Sequence, residues 1–419
     1  MRIDRLGDLG GFPAVLRAVA AATARLGLAP PAALSGDWFD SRAVIAPTLT
    51  AAPTPPAEVF DTGPGAAGPA VGGGWFGYLS YPDGVSYPDG ERAGAGARIP
   101  EAAGGWTDCV LRCDRDGTWW FEDLTGAAMP GWLQAALTTT AAPTPWHIDW
   151  TAPDRAAHQA GVLACLDAIG AGEVYQACVC TQFTGRVSGS PLDFFADAVA
   201  QTSPARAAFV AGSWGAVASL SPELFLRRCG AAVTSSPIKG TLPLSADPAR
   251  LRESAKDVAE NVMIVDLVRN DLGRVAVTGT VRVPELLAVR AAPGVWHLVS
   301  TVTAQVPIEL GTGDLLAATF PPASVTGTPK YRARELLSTW ELRHRGVYCG
   351  TVGLASPVAG TELNVAIRTV EFDDDGGAVL GVGGGITADS DPAAEWEECL
   401  HKAAPTVGLR QLRDLSTAS

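Results

Sequence analysis

The residues best suited to chemistry begin with a lysine. In Thr234-Ser-Ser-Pro-Ile-Lys-Gly-Thr241, Lys239 follows the apolar segment Leu224–Val233 and precedes a glycine. The pattern predicts a strand giving way to a tight turn, with Gly240 letting the backbone approach whatever Lys239 faces. Such a lysine is either a solvated turn residue or a nucleophilic amine. An ordinary lysine has a pKa near 10.4, so freeing its lone pair at pH 7 costs roughly 4.6 kcal/mol. A nucleophilic role therefore requires burial or a nearby cation.

Carboxylates supply the second ingredient. Glu223 ends Ser-Pro-Glu, and Glu260 lies within Lys256-Asp-Val-Ala-Glu-Asn-Val-Met-Ile-Val-Asp266, beside the apolar run Val262–Val265. Glu395 and Glu398 stand three residues apart on a helical pattern and share a face. An unpaired carboxylate against apolar surface is costly, and a magnesium ion bridging helices would explain inward-facing acids. Solvated helix faces are the plainer alternative. Gly383-Gly-Gly-Ile386 can offer backbone N–H groups to a carboxylate, and Arg368 is a charge inside a strand pattern whose fork suits bidentate carboxylate binding. His297 lies in an otherwise apolar strand pattern, where a lone histidine is usually structural.

These residues need a scaffold. The sequence predicts helices over Ala156–Ala171, Ser254–Leu272 and about Pro392–Leu412. In the second, Ala255, Ala259, Val262 and Met263 form one apolar stripe, extended by Asp266 to Leu267 on its flank. Strands are predicted at Val174–Phe183, Thr278–Val283, Gly294–Val306, Gly346–Leu354, Thr361–Phe372 and Ala378–Ile386. Ala207–Leu220 and Leu224–Val233 read as paired strands with Gly212 and Gly215 at the turn, and Gly74–Tyr81 as an aromatic strand. Strict βαβ alternation is absent, so mixed α+β layers are expected. Pro, Ala and Gly enrichment at Ala46–Gly74 and prolines within Thr138–Asp154 suggest an N-terminal segment over 1–145 and a catalytic region over 155–419.

Composition narrows the function classes. The 419 residues are 47% apolar and 18% charged, which indicates a compact globular protein. A net charge of -13 argues against nucleic acid and anionic membrane as partners. The polar start Met1-Arg-Ile-Asp-Arg-Leu-Gly-Asp carries no secretion signal, and the eight scattered cysteines read as reduced thiols of a cytoplasmic protein.

Taken together, the motifs from about Ala156 to Leu412 resemble the chorismate-utilising enzymes, the group of anthranilate synthase component I. The matching stretches are Gly172-Glu-Val-Tyr-Gln176, Ser221-Pro-Glu223, Pro237-Ile-Lys-Gly-Thr241, Lys256 through Arg274, His297-Leu-Val-Ser300, Ser324 through Lys330, Arg345 through Gly350, Ala366-Ile-Arg-Thr369, and Gly383 through Ser390 with Glu395 and Glu398. The resemblance implies two packed, mainly antiparallel sheets flanked by helices, and chorismate as substrate. It implies Mg2+ held by Glu260 and Glu398, with Glu395 beside them directly or through water. Tyr348, Arg368 and the Gly383, Gly384 and Gly385 backbone would hold substrate carboxylates. Gly240, Thr241, Thr326 and Lys402 would face the substrate, and Glu223 or His297 would serve as general acid.

Two positions separate branches of the group. Relatives that add water resemble one another in a lysine where this chain has Gln176, and anthranilate-forming relatives carry a small residue where it has Lys239. The resemblance thus implies amination of chorismate at ring carbon 4 through a covalent Lys239 intermediate. Leu242, Leu244 and Pro322-Ala323 depart from the usual pattern beside the site. Ammonia would come from a separate glutamine amidotransferase subunit in a heterodimer, for folate or p-aminobenzoate-derived metabolites. Formation of anthranilate or 2-amino-2-deoxyisochorismate, or a degenerate regulatory subunit, are the alternatives.

Overall fold

A computed structural model describes residues 1–65, 68–82 and 99–411. Leu412, the expected end of the last helix, lies outside them. Among the described residues twelve strands form one sheet and ten a second, and every pairing is antiparallel. The sheets pack face to face: Phe76, Tyr78, Val352 and Leu354 of the second meet Leu34, Val44, Ala208 and Val217 of the first. Helices cover the outer faces, with Phe194 and Phe195 on the first sheet and Ile264 and Val268 on the second. Both the α+β class and the two-sheet layering agree with expectation.

Both sheets draw on the expected segments 1–145 and 155–419. Ala32–Trp38 pairs with Arg206–Gly212, and the aromatic strand Gly74–Leu79 pairs with Thr351–Ser356. Around the candidate site, the longest strand, Gln176–Gly189, runs beside Gly377–Ile386 and brings Ala177–Cys180 against Gly383–Ile386. The three glycines therefore lie within this strand.

Several boundaries differ for identifiable reasons. Ala207–Leu220 is itself a hairpin turning at Gly212 and Gly215, whereas Leu224–Cys229 pairs with Ala232–Ser236 in the other sheet. Lys239 sits inside the short strand Ile238–Pro243, not at a turn after Val233. Gly240 has φ +89° and marks a break in register between Ile238 and Thr241, so the glycine makes a bulge. Thr361–Phe372 divides into Gly360–Asn364 and Thr369–Asp373, which belong to different sheets. Arg368 sits at the crossing with φ +52°, a conformation uncommon for a non-glycine residue.

The helix Ala255–Gly273 turns a different face inward. Its buried residues are Glu260, Asn261, Ile264, Val265, Leu267, Val268, Asp271 and Leu272, while Val262 is 44% exposed. The expected stripe of Ala255, Ala259, Val262 and Met263 thus mostly faces outward, because this helix buries acids toward the site. Ser254 caps it, accepting from Asp257 N–H at 3.2 Å.

Candidate active site

Three elements converge on the glycine strand. Helix Ala255–Gly273 supplies Lys256 and Glu260, strand Ile238–Pro243 supplies Lys239, and helix Pro392–Val407 supplies Glu395, Glu398 and Lys402. Asp391 caps the last helix by accepting from Ala393 and Ala394 N–H, which places Glu395 in a first turn that favours negative charge. The glycines permit the approach. A Cβ on Gly384 would lie 3.0 Å from Glu395 Oε2 and 3.6 Å from Glu398 Oε1. One on Gly385 would lie 2.4 Å from Gln176 Nε2, 3.1 Å from Glu260 Oε2 and 3.3 Å from Lys239 Nζ. Sequence-distant residues are thus assembled around two α-carbons that carry no side chain.

Each acid meets a lysine. Lys239 Nζ lies 3.6 Å from Glu260 Oε2, and Lys402 Nζ lies 2.7 Å from Glu398 Oε1 while donating to Gly383 O at 2.9 Å. Glu395 Oε1 accepts from Lys256 at 3.0 Å and from Ser390 at 2.6 Å. Burial pushes the Glu260 carboxyl up against the pull of Lys239 and Lys256, whereas at Glu398 the pull of Lys402 overrides burial and the carboxyl is held low. Burial alone would depress the Lys239 amine. Cys178 and the carboxylates Glu260, Glu223 and Glu398 outweigh it, so Lys239 is held above its ordinary value. At rest the amine is therefore an ammonium.

Glu223 and His297 contact the residues that flank Lys239 on its strand, Ile238 and Thr241. Glu223 is 3% exposed, and its Oε1 is 3.5 Å from Ile238 N–H. Burial raises its carboxyl to about 7, against the opposing influence of Ser324, Lys239 and Arg368. His297 Nδ1 is 2.9 Å from Thr241 Oγ1, and its Nε2 is buried without a partner. Burial, helped by Arg368, lowers the imidazole to about 4, so it is neutral at physiological pH. Of the two expected acids, only Glu223 holds an exchangeable proton near neutrality. Arg368, depressed by burial and partly restored by Glu223, has no hydrogen-bond acceptor for its guanidinium among the described residues. Its fork is free to receive a ligand carboxylate.

Two expected substrate contacts do not join this cluster. Thr326 is fully buried and donates to Pro322 O at 2.8 Å, so its hydroxyl shapes its own loop. Tyr348 packs on Gly381 and lines a cavity of about 330 Å³ with His158, Cys180, Gln182 and Trp340, a wall that includes neither Lys239 nor Arg368. Both residues sit in the resembling motifs, and here their side chains are turned to these neighbours. Conversely, Lys256 joins the site without having been assigned a role. Its one legible signal was the spacing of one helical turn to Glu260.

Comparison with known proteins supplies the family. A model of the chorismate binding enzymes matches residues 37–408. The chain belongs to this family. It is therefore an enzyme of the group that acts on chorismate. Aminodeoxychorismate synthase component 1 of Klebsiella aerogenes is 38% identical over 325 residues, covering 74% of this chain and 71% of that protein. The protein of the same name from Escherichia coli K12 is 42% identical over 238 residues, covering 55% of this chain and 52%, about half, of its own length. Among solved structures, anthranilate synthase component I from Streptococcus pneumoniae superposes with a TM-score of 0.70 at 26% identity over 84% of each chain. Among the described residues no helix is long and apolar enough to cross a membrane.

A magnesium ion has suitable donors here. Glu260, Glu395 and Glu398 offer the hard oxygens it prefers. Glu395 Oε2 is buried without a partner, an orphan that a cation would satisfy. In the lysine-paired arrangement no three acidic, histidine or cysteine groups gather tightly enough for a metal among the described residues. Binding would thus require the lysines to yield.

Proposed function

We propose that this chain aminates chorismate at ring carbon 4, giving 4-amino-4-deoxychorismate with ammonia supplied by a separate glutaminase subunit. One observation carries the reading: a largely buried lysine, Lys239, lies 3.6 Å from Glu260 and within the electrostatic reach of Glu223, a carboxyl whose proton exchanges near pH 7. The names of the Klebsiella and Escherichia relatives support it.

Lys239 attacks ring carbon 2 as a free amine. The ring double bonds shift, and the carbon 4 hydroxyl leaves as water with the proton of Glu223. Ammonia then attacks carbon 4, the double bonds return, the carbon 2–nitrogen bond to Lys239 breaks with the free amine as leaving group, and the new ammonium at carbon 4 returns a proton to Glu223. Arg368 holds a carboxylate by its fork, and neutral His297 offers its bare Nε2 to the ring substituents. Magnesium, held by Glu260, Glu398 and Glu395, would neutralise and polarise the ring carboxylate. Lys239 must first lose a proton. Any cation that neutralises Glu260 weakens the acid field holding that proton and so favours the free amine.

The "component 1" of the relatives' names accords with a partner glutaminase. A cytoplasmic setting fits folate or p-aminobenzoate-derived metabolism. Incubation with chorismate, magnesium and ammonium salt, followed by mass and NMR identification, tests the reading. The 4-amino product supports it, and anthranilate or a carbon 2 amine overturns it.

A further inference from the structure

Lys256 differs from the other two lysines of the site. Its ammonium lies 3.0 Å from Glu395 Oε1 and 4.0 Å from Glu260 Oε1. One positive charge is thus shared by carboxylates from two helices that lie far apart in sequence. Lys239 and Lys402 each pair with a single acid. Glu395 is 2% exposed and its second oxygen has no partner, so without Lys256 its charge would rest on Ser390 alone. An uncompensated buried carboxylate is strongly unfavourable. The Lys256 side chain is 41% exposed and has a path to water.

We propose that Lys256 is a built-in competitor of the divalent cation. Its ammonium bridges Glu260 and Glu395 when no metal is bound and swings into solvent when a metal takes those oxygens. The exchange keeps a cation beside Glu395 throughout. It also lowers metal affinity, because every binding event must break the two lysine contacts. This inference rests on the metal reading above.

The probe is Mn2+ binding to the full chain, followed by electron paramagnetic resonance with and without chorismate. Lys256→Met keeps the apolar stem and removes the charge. It should bind Mn2+ about two- to fivefold tighter than wild type, the range expected for a part-exposed ion pair. Its metal-free thermal midpoint should fall, while the midpoint at saturating Mn2+ should match wild type. Lys256→Arg should retain wild-type affinity. In a Glu395→Gln background the gain from Lys256→Met should vanish, because the bridge is already broken. Unchanged or weaker Mn2+ binding by Lys256→Met overturns the inference while leaving the metal reading intact. An equal gain in the Glu395→Gln background also overturns it, since a long-range field would act the same in both. Failure of every variant, wild type included, to bind Mn2+ overturns both.

Discussion

Replacing Glu223 by glutamine should separate stability from catalysis. The carboxyl is raised from an ordinary 4.5 to about 7, with burial the leading cause. A carboxyl raised on folding stays protonated in the native state while the unfolded chain has already lost its proton. Its contribution is therefore favourable at low pH and disappears as pH climbs from 4.5 through 7. With those two values, linkage gives a loss of roughly 2–3 kcal/mol between pH 5 and pH 8 from this one group. Glu223→Gln keeps the shape and the bond from Ile238 N–H but cannot ionise. Urea unfolding at pH 5 and pH 8 should show the variant losing roughly 2–3 kcal/mol less than wild type over that interval. In the wild type, kcat/KM for chorismate should fall as pH rises through about 7, when the acid loses its proton. The variant should be slow at every pH and lack that limb. Identical pH dependence of stability in both proteins would refute the buried, protonated state of Glu223. An unchanged pH–rate profile in an active variant would refute its role as acid.

Other perturbations probe other parts of the site. Glu260→Ala and Glu398→Ala should each lower turnover by about a hundredfold or more with circular dichroism unchanged, as expected for lost metal ligands; near-normal rates at ordinary magnesium would remove them from that role. Arg368→Ala should raise the KM for chorismate roughly ten- to a hundredfold through loss of charge-assisted hydrogen bonds, with Arg368→Lys recovering part; an unchanged KM would place this side chain outside the site. Gly385→Ala should be more damaging than Gly384→Ala, since its Cβ would meet Gln176 Nε2 at 2.4 Å whereas the nearest atom at Gly384 is at 3.0 Å; equal activities would contradict the close packing around the glycines. The isolated chain should use ammonium and not glutamine, and sustained glutamine-dependent turnover would contradict a separate glutaminase.

The sequence carried the chemistry of the site better than its geometry. Lys239, Glu260 and the three glycines stood out as candidates by their types in apolar surroundings, but their roles came from the resemblance; the structure brings them together around Gly385. The inward face of Ala255–Gly273 was not. A helix that buries Glu260, Asn261 and Asp271 misleads any reading that phases it by apolar residues, and Val262 looked inward although it is exposed. Gly360–Asn364 and Thr369–Asp373 read as one strand because the change of sheet occurs within Val365–Arg368, where apolar residues continue and the turn is made by an arginine at positive φ. Glu223 and His297 were equal candidates in sequence. Only their surroundings, which raise one and lower the other, set them apart. Lys256 was hidden by its exposure and by a partner, Glu395, 139 residues away.

The central claim is a covalent bond between Lys239 and the substrate ring. Wild-type protein mixed with chorismate and magnesium, without ammonia, should gain a substrate-derived mass that peptide mapping places on Lys239. Lys239→Ala should gain none and should lose the 4-amino product, with any residual amination at carbon 2. Absence of an adduct, together with efficient carbon 4 amination by Lys239→Ala, would contradict the account.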